Sequence, residues 1–419
     1  MNYRLIGKYI GFILLVEGIF LLPAIVVSAA YREPQSARAI AIAAIITLLP
    51  GVLLSCIRSH RSISMSEGFV VCALGWIVLS LFGALPFYIS GEIPRYIDCW
   101  FETVSGFTTT GSSILTEVEG MSHGLLYWRS FTHWIGGMGV LVFLLAILPL
   151  AKGDGEPFNL MKAESPGPSV GKLVPKISTT AKITYIIYFV MTVVMIAVLL
   201  FEGMPLFDAV MNSFGTAGTG GFAIKNNSIA AYPSQLVQMT IAVFMALFGV
   251  NFSVYYLMLS KKWKDAFLNE EFRWYWGIML GASLLIAGNV FLKGFYPADF
   301  GQAFRDSFFS VSSVMTTTGF CTADFDKWPE FSRYMLLLVM CIGASAGSTG
   351  GGMKVSRVLL LFKHLRTQMC QMIHPRRVRS VRMDKRRVEN SVMFGTTAYL
   401  AAYLIIMSCS MLIVSLDGK

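Results

Sequence analysis

Residues 98–111 read DCWFETVSGFTTTG, and this stretch decides the fold because it recurs along the chain. Residues 208–221 read DAVMNSFGTAGTGG, and residues 306–319 read DSFFSVSSVMTTTG. Each block opens on an aspartate, contains aromatic residues and reaches a glycine 13 positions later (111 − 98, 221 − 208 and 319 − 306). One internal spacing in three blocks indicates a repeated structural unit, which is a common way to build a transport path through a membrane.

Long apolar runs lie on both sides of every block. The chain of 419 residues is 55% hydrophobic and 14% charged, whereas a soluble chain carries about 25% charged residues. Runs close to a membrane-spanning length occupy residues 9–29, 37–57, 68–89, 125–150, 183–200, 236–259, 274–292, 334 onward and 392–414. They lack the alternation of barrel strands, and the first run is too long for a signal peptide. The composition therefore predicts a polytopic helical membrane protein.

The net charge of +10 follows the topology. With the N-terminus in the cytoplasm and one crossing per run, the inner loops collect far more basic residues than the outer loops, as the positive-inside rule requires. These are Arg58, Arg61, Lys152, Lys162, Lys172, Lys176, Lys182, Lys261, Lys262, Lys264, Arg376, Arg377, Arg379, Arg382, Lys385, Arg386 and Arg387. The basic excess thus indicates membrane orientation and affinity for anionic lipid, and it does not indicate a nucleic-acid partner.

The chemistry of each block points to a cation. Asp98, Asp208 and Asp306 are expected to cap a short helix of about nine residues, because a carboxylate satisfies free N–H groups at a helix start. The Thr/Gly backbone that follows is tolerated at membrane depth only where it is buried or lines a wet cavity. Carbonyl rings of this kind replace the hydration shell of potassium. The alternative, ordinary loops between helices, is disfavoured by three aligned copies.

Two further motifs add a resemblance to the repeat. RSFTHWIGGMG, residues 129–139, opens the run after the first block, and GASAGSTGGGMK, residues 343–354, interrupts the run after the third. With these motifs, essentially the whole chain resembles the Trk/Ktr/HKT superfamily of potassium transporters, in its TrkH-type bacterial branch. The resemblance implies an all-α polytopic fold, with two leading helices and helix–pore loop–helix repeats around a pseudo-four-fold pore.

The expected domains follow from that plan. Residues 1–62 form the two-helix leading domain, residues 63–152 the first repeat, and residues 153–260 the second repeat with its preceding cytoplasmic loop. Residues 261–375 form the third repeat, with an interrupted inner helix, and residues 376–419 form a basic linker and the first helix of a fourth repeat.

The resemblance implies that the loops form a potassium selectivity filter, with one glycine from each repeat. In this family, glycine at these positions accompanies potassium selectivity, and serine in the first loop of some plant members accompanies sodium. The implied filter residues are Thr109, Thr110, Gly111, Thr219, Gly220, Gly221, Thr317, Thr318 and Gly319. No other metal site is expected.

The fourth repeat is incomplete in the sequence. The run 392–414 is its expected first helix, and the chain stops at Lys419 before a fourth loop. Because three loops do not close a four-fold ring, we expect a C-terminally truncated version of a longer protein that does not conduct alone. Potassium uptake by the 419-residue chain, compared with a version that carries a fourth repeat, tests this expectation.

The glycine-rich stretch at residues 343–354 cannot be a continuous helix, since each glycine costs about 1 kcal/mol relative to alanine. One interpretation is close helix packing by small residues; the other, which the resemblance implies and which we favour, is an intramembrane gating loop. Its residues are Gly343, Ala344, Ser345, Ala346, Gly347, Ser348, Thr349, Gly350, Gly351, Gly352 and Lys354. Lys354 is either functional at membrane depth or a snorkelling residue at the interface.

Several single residues have more than one interpretation. Arg129 and His133 are four residues apart and share one helix face. The simplest interpretation of Arg129 is an anchor at the outer interface, and His133 is interpreted as a packing residue and not as a ligand. Glu102 in the first pore helix is a candidate for hydrogen bonding behind the filter. The seven cysteines form no CxxC pair, and only Cys99 and Cys321 fall on the same outer side.

The resulting hypothesis is gated, channel-like potassium uptake across the bacterial inner membrane, and the alternative is symport with sodium or protons. An intramembrane enzyme is disfavoured because His133 has no evident partner groups. The resemblance implies a homodimer above a cytosolic TrkA-type regulatory subunit. No Gly-rich nucleotide fingerprint occurs in the chain, so ATP, ADP or NAD is expected on that partner and no cofactor on this chain.

Overall fold

The computed structural model describes residues 1–57, 63–139, 177–296, 299–374 and 380–416. Within these ranges the regular secondary structure is helical apart from one small hairpin. The helices are α1 Tyr3–Phe20, α2 Leu22–Ala30, α3 Pro34–Ser55, α4 Met65–Gly83, α5 Leu85–Ser90, α6 Tyr96–Phe107, α7 His123–Met138, α8 Ile177–Phe201, α9 Leu206–Ala217, α10 Gln235–Phe248, α11 Phe252–Leu259, α12 Trp263–Leu268, α13 Glu270–Leu292, α14 Phe300–Met315, α15 Glu330–Ile342, α16 Val355–Ile373 and α17 Asn390–Ser415.

Two short 3₁₀ turns, Ser228–Ala231 and Phe325–Lys327, follow the second and third blocks. Strands β1 Arg382–Met383 and β2 Arg386–Arg387 pair antiparallel, with Arg382 opposite Arg387. Part of the predicted topology lies outside the described residues, including most of residues 151–182. The basic residues in that group are Arg58, Arg61, Lys152, Lys162, Lys172, Lys176, Arg376, Arg377 and Arg379.

Six segments of the described chain are long and apolar enough to cross a membrane. They are Tyr3–Ala30, Pro34–Ser55, Ser66–Ser90, Lys182–Phe201, Glu270–Leu292 and Asn390–Ser415. A seventh candidate consists of α10 and α11, which are bent by 91° at a short break. The expected class, a polytopic all-α membrane protein, is confirmed.

The continuous helix predicted over residues 236–259 is wrong. The chain turns sharply at residues 249–251, between α10 and α11. The cause is local: Gly249 is a poor helix former, and the Asn251 side chain accepts a hydrogen bond from Ser253 N at 2.9 Å and starts a new helix. Hydrophobicity alone does not register such a break.

The three blocks form pore helices, which we name by order: the first is α6, the second α9 and the third α14. They have 12, 12 and 16 residues, longer than the predicted nine but shorter than the roughly 20 residues that cross a bilayer. Each lies between two other helices of its repeat and ends in a Thr/Gly loop, so the helix, re-entrant segment, helix order of the repeat is present.

The predicted aspartate caps need correction. The N-cap positions are Arg95, Pro205 and Asp299, because each pore helix begins upstream of its block aspartate. Asp98 and Asp208 lie in the first turn, where a carboxylate still favours the positive end of the helix.

The third aspartate differs from the other two. Asp306 lies within α14, two turns beyond its start, and is buried. Asp299 is the cap instead, since its Oδ1 accepts from Gln302 N at 2.9 Å.

The buried apolar side chains form two main clusters. One joins the leading helices to the first repeat and includes Ile13, Phe107 and Trp128. The other joins the second and third repeats and includes Tyr188 and Tyr275. The leading pair therefore packs on the first repeat, and the five-part domain division stays a prediction.

Candidate functional site

The loops after the three pore helices share one backbone conformation. In each loop a threonine and, two residues later, a glycine have positive φ. The values are Thr109 53° and Gly111 78°, Thr219 52° and Gly221 77°, and Thr317 59° and Gly319 88°. We call residues 109–111, 219–221 and 317–319 the first, second and third filter loops.

Hydrogen bonds at the helix ends explain the first half of this conformation. Thr109 N donates to Gly106 O at 3.1 Å, and Thr110 N donates to Ser105 O at 2.9 Å. This pair of bonds is a Schellman motif, which usually carries glycine where Thr109 lies. Equivalent bonds join Thr219 to Thr216, Gly220 to Gly215, Thr317 to Val314 and Thr318 to Ser313.

Threonine at this position is strained. A β-branched residue at positive φ costs on the order of 1–3 kcal/mol and persists where its surroundings enforce it. The threonine hydroxyls contribute to that enforcement: Thr219 Oγ1 donates to Gly218 O at 2.7 Å, and Thr317 Oγ1 donates to Thr316 O at 2.6 Å. The same strained conformation thus recurs once per repeat, at Thr109, Thr219 and Thr317.

The filter loops lie side by side. A Cβ on Gly111 would overlap Gly220 O, and a Cβ on Gly221 would overlap Thr318 O. A Cβ on Gly319 would meet no heavy atom of the described chain within 4 Å. The loops therefore follow one another in the order first, second, third, and the third has an open side.

Burial agrees with this order. Thr219 and Gly220 of the second filter loop are buried, while Thr110 of the first and Gly319 of the third are exposed. The second loop is thus enclosed between its neighbours, and the first and third each keep one uncovered flank. At Gly111 and Gly221, both the positive φ and the neighbouring carbonyl require glycine.

A buried ion pair lies behind the first filter loop. Arg129 Nε donates to Glu102 Oε1 at 2.6 Å, and the two side chains are 3% and 0% exposed. The Glu102 carboxylate also accepts from Ser113 Oγ at 2.9 Å and from Ile114 N at 3.0 Å. Glu102 is therefore hydrogen-bonded behind the first filter loop, and it binds the segment that follows Gly111.

The arginine of this pair reaches the second filter loop. Arg129 Nη1 donates to Ala223 O at 3.0 Å, and its guanidinium lies 3.6 Å from the centroid of the Phe222 ring. Both contacts fall directly after Gly221. The expected role of Arg129 as an interface anchor is wrong. Its buried guanidinium has partners on both sides within the protein interior, so it does not face lipid headgroups.

His133 lies one turn beyond Arg129 and completes the support of the second loop. Its ring stacks on Phe222 at 4.0 Å between centroids, and its Nδ1 accepts from Phe222 N at 3.3 Å. A Cβ on Gly220 would meet the His133 ring at 2.5 Å. The predicted packing role of His133 thus includes direct contact with a filter loop, which sequence spacing alone did not indicate.

The stretch at residues 343–354, which we call the glycine loop, separates α15 from α16 and lies against the third filter loop. Gly351 N donates to Thr317 Oγ1 at 2.7 Å, and a Cβ on Gly350 would lie 2.9 Å from Thr316 O. Gly343 starts the loop with φ of 74°. The predicted interruption of the helix is confirmed. The alternative, close packing of two continuous helices by small residues, is not observed at this loop.

The glycine loop is also bonded to the bend between α10 and α11. Ser345 N donates to Gly249 O at 3.0 Å, and Phe252 N donates to Gly347 O at 3.0 Å. Thr349 Oγ1 donates to Phe248 O at 3.2 Å. The two broken helices therefore meet, and the loop joins the second repeat to the third.

Lys354 turns back into the glycine loop. Its backbone has φ of 77°, and its Nζ donates to the Gly350 carbonyl. The contact places a cationic group on the loop itself, near the third filter loop, and it differs from the outward path of a snorkelling lysine.

The helices that follow the filter loops all break at a glycine. α7 ends before Gly139, α10 before Gly249 and α15 before Gly343. Their distances from the filter glycines are 28, 28 and 24 residues (139 − 111, 249 − 221 and 343 − 319). The sequence signal for these helix ends is a glycine at a similar distance after each filter glycine. The apolar residues on both sides of that glycine conceal the signal.

The described residues contain no His/Cys/Asp/Glu group able to hold a metal ion, and none of the seven cysteines forms a disulfide. Cys99 is buried and Cys321 is exposed, so the two do not form a disulfide. Within the described chain, the backbone carbonyls of the three filter loops are the candidate cation ligands.

The chain matches the family model described as TrkH, cation transport protein, over residues 35–274 and 283–419. It is 34% identical to the Trk system potassium uptake protein TrkH of Salmonella typhimurium, covering 100% of this chain and 87% of the relative. It is 31% identical to the Trk system potassium uptake protein TrkG of Escherichia coli, covering 96% and 83%.

The fold matches a solved structure, the crystal structure of the potassium transporter TrkH from Vibrio parahaemolyticus. The TM-score is 0.85 at 29% sequence identity, over 98% of this chain and 85% of that one.

Proposed function

Because this chain belongs to the TrkH family of cation transport proteins, we propose that it takes up potassium through a pore lined by the three filter loops. The carrying observation is the matched backbone at residues 109–111, 219–221 and 317–319. Carbonyl oxygens held in register replace the water around a dehydrated potassium ion. The pore helices assist, since their partly negative C-terminal ends meet the filter loops.

Selectivity for potassium is attributed to glycine in each filter loop. Gly111 and Gly221 allow a neighbouring carbonyl to approach the backbone, and a side chain there would push that carbonyl away. Gly111→Ser is expected to lower the potassium-to-sodium permeability ratio. The measurement is ion flux in liposomes with a version that carries a fourth helix–loop–helix repeat, and an unchanged ratio would count against the filter assignment.

The glycine loop is proposed as the gate. It lies against the third filter loop through Thr317, it carries Lys354, and it is bonded to the bend at Gly249. A loop with several glycines and few apolar contacts is suited to move between two positions. Its ammonium group repels a potassium ion leaving the filter until the loop moves.

A passive pathway is proposed over symport. A coupled carrier needs a second ion site, normally marked by carboxylates within the membrane. Of two carboxylates within the apolar segments, Glu102 is engaged by Arg129, and Glu17 belongs to the leading helix α1, outside the filter loops. Reversal potentials that follow potassium alone, under imposed sodium and proton gradients, are the expected result.

The assembly is part of the same proposal. The expected arrangement is a homodimer in the bacterial inner membrane, with the N-terminus cytoplasmic and a TrkA-type nucleotide-binding subunit beneath it. The support is the membership in a Trk system family and the basic residues of the inner loops. Co-purification with the cytosolic subunit, and its loss at high salt, test the partner.

A further inference from the structure

The hairpin formed by β1 and β2 is bonded to the start of α13. Asp384, in the turn of the hairpin, accepts from Glu270 N at 2.8 Å through Oδ1 and from Asn269 Nδ2 at 3.0 Å through Oδ2. Asn269 in turn caps the helix, since its Oδ1 accepts from Phe272 N at 2.9 Å. A carboxylate from a distant segment therefore joins the N-terminal end of α13, where negative charge is favoured.

A second link strengthens the same junction. Lys363 of α16 pairs with the Glu270 carboxylate, and its Nζ also donates to Arg382 O at 2.8 Å. The hairpin, α16 and the first turn of α13 thus share one polar cluster. Its members are half-buried or exposed, so the cluster is open to a change imposed from solution.

The next residue of α13 points the other way, into the glycine loop. Glu271 is 4% exposed, and its Oε1 accepts from Ala346 N at 2.7 Å and from Ser356 N at 3.2 Å. Its Oε2 accepts from Asn251 Nδ2 at 3.4 Å. One carboxylate therefore binds the glycine loop at Ala346, the first turn of α16 at Ser356 and the bend that the loop rests on.

We infer that Glu271 is a positioning residue for the glycine loop and that the Asp384 hairpin acts on the loop through the first turn of α13. This inference rests on the proposed function of the loop as the gate. Glu270 and Glu271 are consecutive in a hydrogen-bonded helical turn, so a displacement of one carries the other. A shift of the hairpin changes the bonds to Ala346 and Ser356 without any direct contact with them.

Hydrogen–deuterium exchange on the full chain tests the link without requiring ion flux. Glu271→Gln should speed exchange of the Ala346 and Ser356 amides by about tenfold, since hydrogen bonds to a charged acceptor are lost. Asp384→Ala should speed the same two amides by about threefold. Asp265→Ala is the matched control, because Asp265 is an exposed acidic residue of the neighbouring α12; it should leave both rates unchanged.

Two results would overturn the inference. One is an Asp384→Ala variant in which amide exchange becomes faster only at Glu270 and in the hairpin, and not at Ala346 or Ser356. The other is a Glu271→Gln, Asp384→Ala double variant in which the two effects on Ala346 multiply, because residues on one path should not act independently. The half-buried position of Asp384 at the protein surface keeps this arm informative even if the Glu271 variant fails to fold.

A flux measurement separates this inference from the proposed function. In a version with a fourth repeat, Glu271→Gln should change the potassium flux severalfold while the potassium-to-sodium permeability ratio stays constant. General damage to the fold would alter both quantities. The Asp384→Ala variant could speed exchange at Ala346 while the unmodified protein shows no potassium selectivity. That combination would overturn the proposed function and would leave the link between the hairpin and the glycine loop intact.

Discussion

Arg129 Nε lies 2.6 Å from Glu102 Oε1, with both side chains buried behind the first two filter loops. The pair connects the loops because each partner holds a different one: Glu102 binds Ile114 N, and Arg129 binds Ala223 O. The relative position of two neighbouring sets of carbonyls thus depends on one ion pair.

Glu102→Gln is expected to destabilise the protein and to lower ion selectivity. Removing one partner of a buried ion pair costs about 3–5 kcal/mol, because the other charge stays buried without compensation. Thermal denaturation in detergent measures the stability, and ion competition in liposomes measures the selectivity. Arg95→Ala is the control, since the Arg95–Asp98 pair is on the same pore helix but exposed, where ion pairs contribute little. Equal effects of the two substitutions would contradict the account.

The three filter glycines should respond to alanine in a fixed order. Gly111→Ala and Gly221→Ala add overlap with a neighbouring carbonyl to the strain of positive φ, whereas Gly319→Ala adds the strain alone, about 1–2 kcal/mol. We expect melting temperatures to fall more for the first two than for the third. Gly277→Ala, within α13 and without close neighbours, should be neutral or stabilising by up to about 1 kcal/mol. If alanine lowered the melting temperature as much in the third filter loop as in the second, the third loop would not have an open side.

Removing the ammonium group from the glycine loop should raise potassium flux. Lys354→Met keeps the length of the side chain but eliminates the charge that contacts Gly350 O near the third filter loop. Lys327→Met is the matched control, because Lys327 is exposed and pairs with Asp324 beyond the filter. Single-channel recording of a version with a fourth repeat measures open probability. Equal open probability in the two variants would contradict a role of Lys354 in gating.

Shortening the glycine loop should also increase the flux. A deletion within residues 350–352 removes the contact from Gly351 N to Thr317 Oγ1 and leaves the bonds to the bend at Gly249 and Phe252. The open probability should rise, and an unchanged open probability in single-channel recording would contradict the gating role.

The positions of the three filter loops could be predicted from sequence because the sequence signal is local, and their role as a filter stays a prediction. A threonine and a glycine at fixed distances from a pore-helix aspartate identify residues 109–111, 219–221 and 317–319 without reference to the rest of the fold. The same locality explains the error at Asp306: an aspartate within an amphipathic stretch marks a helix start only if no earlier residue caps it, and Asp299 does.

Contacts between repeats could not be predicted in this way. Glu102 and Arg129 are 27 positions apart, and Glu271 and Ala346 are 75 apart, so no periodicity relates them. The bend at residues 249–251 was missed because the flanking residues are apolar on both sides. Buried polar groups are satisfied by whatever the fold brings near, and a single sequence does not contain that information.

The central claim is that the three filter loops select potassium through their carbonyl oxygens. The most direct test is the potassium-to-sodium permeability ratio of liposomes that contain the chain with a fourth helix–loop–helix repeat, before and after Gly221→Ala. Gly221 is the glycine whose loop is enclosed on both sides. The account predicts strong preference for potassium in the unmodified protein and its loss in the variant. Equal permeability of the two ions before substitution, or an unchanged preference after it, would contradict the claim.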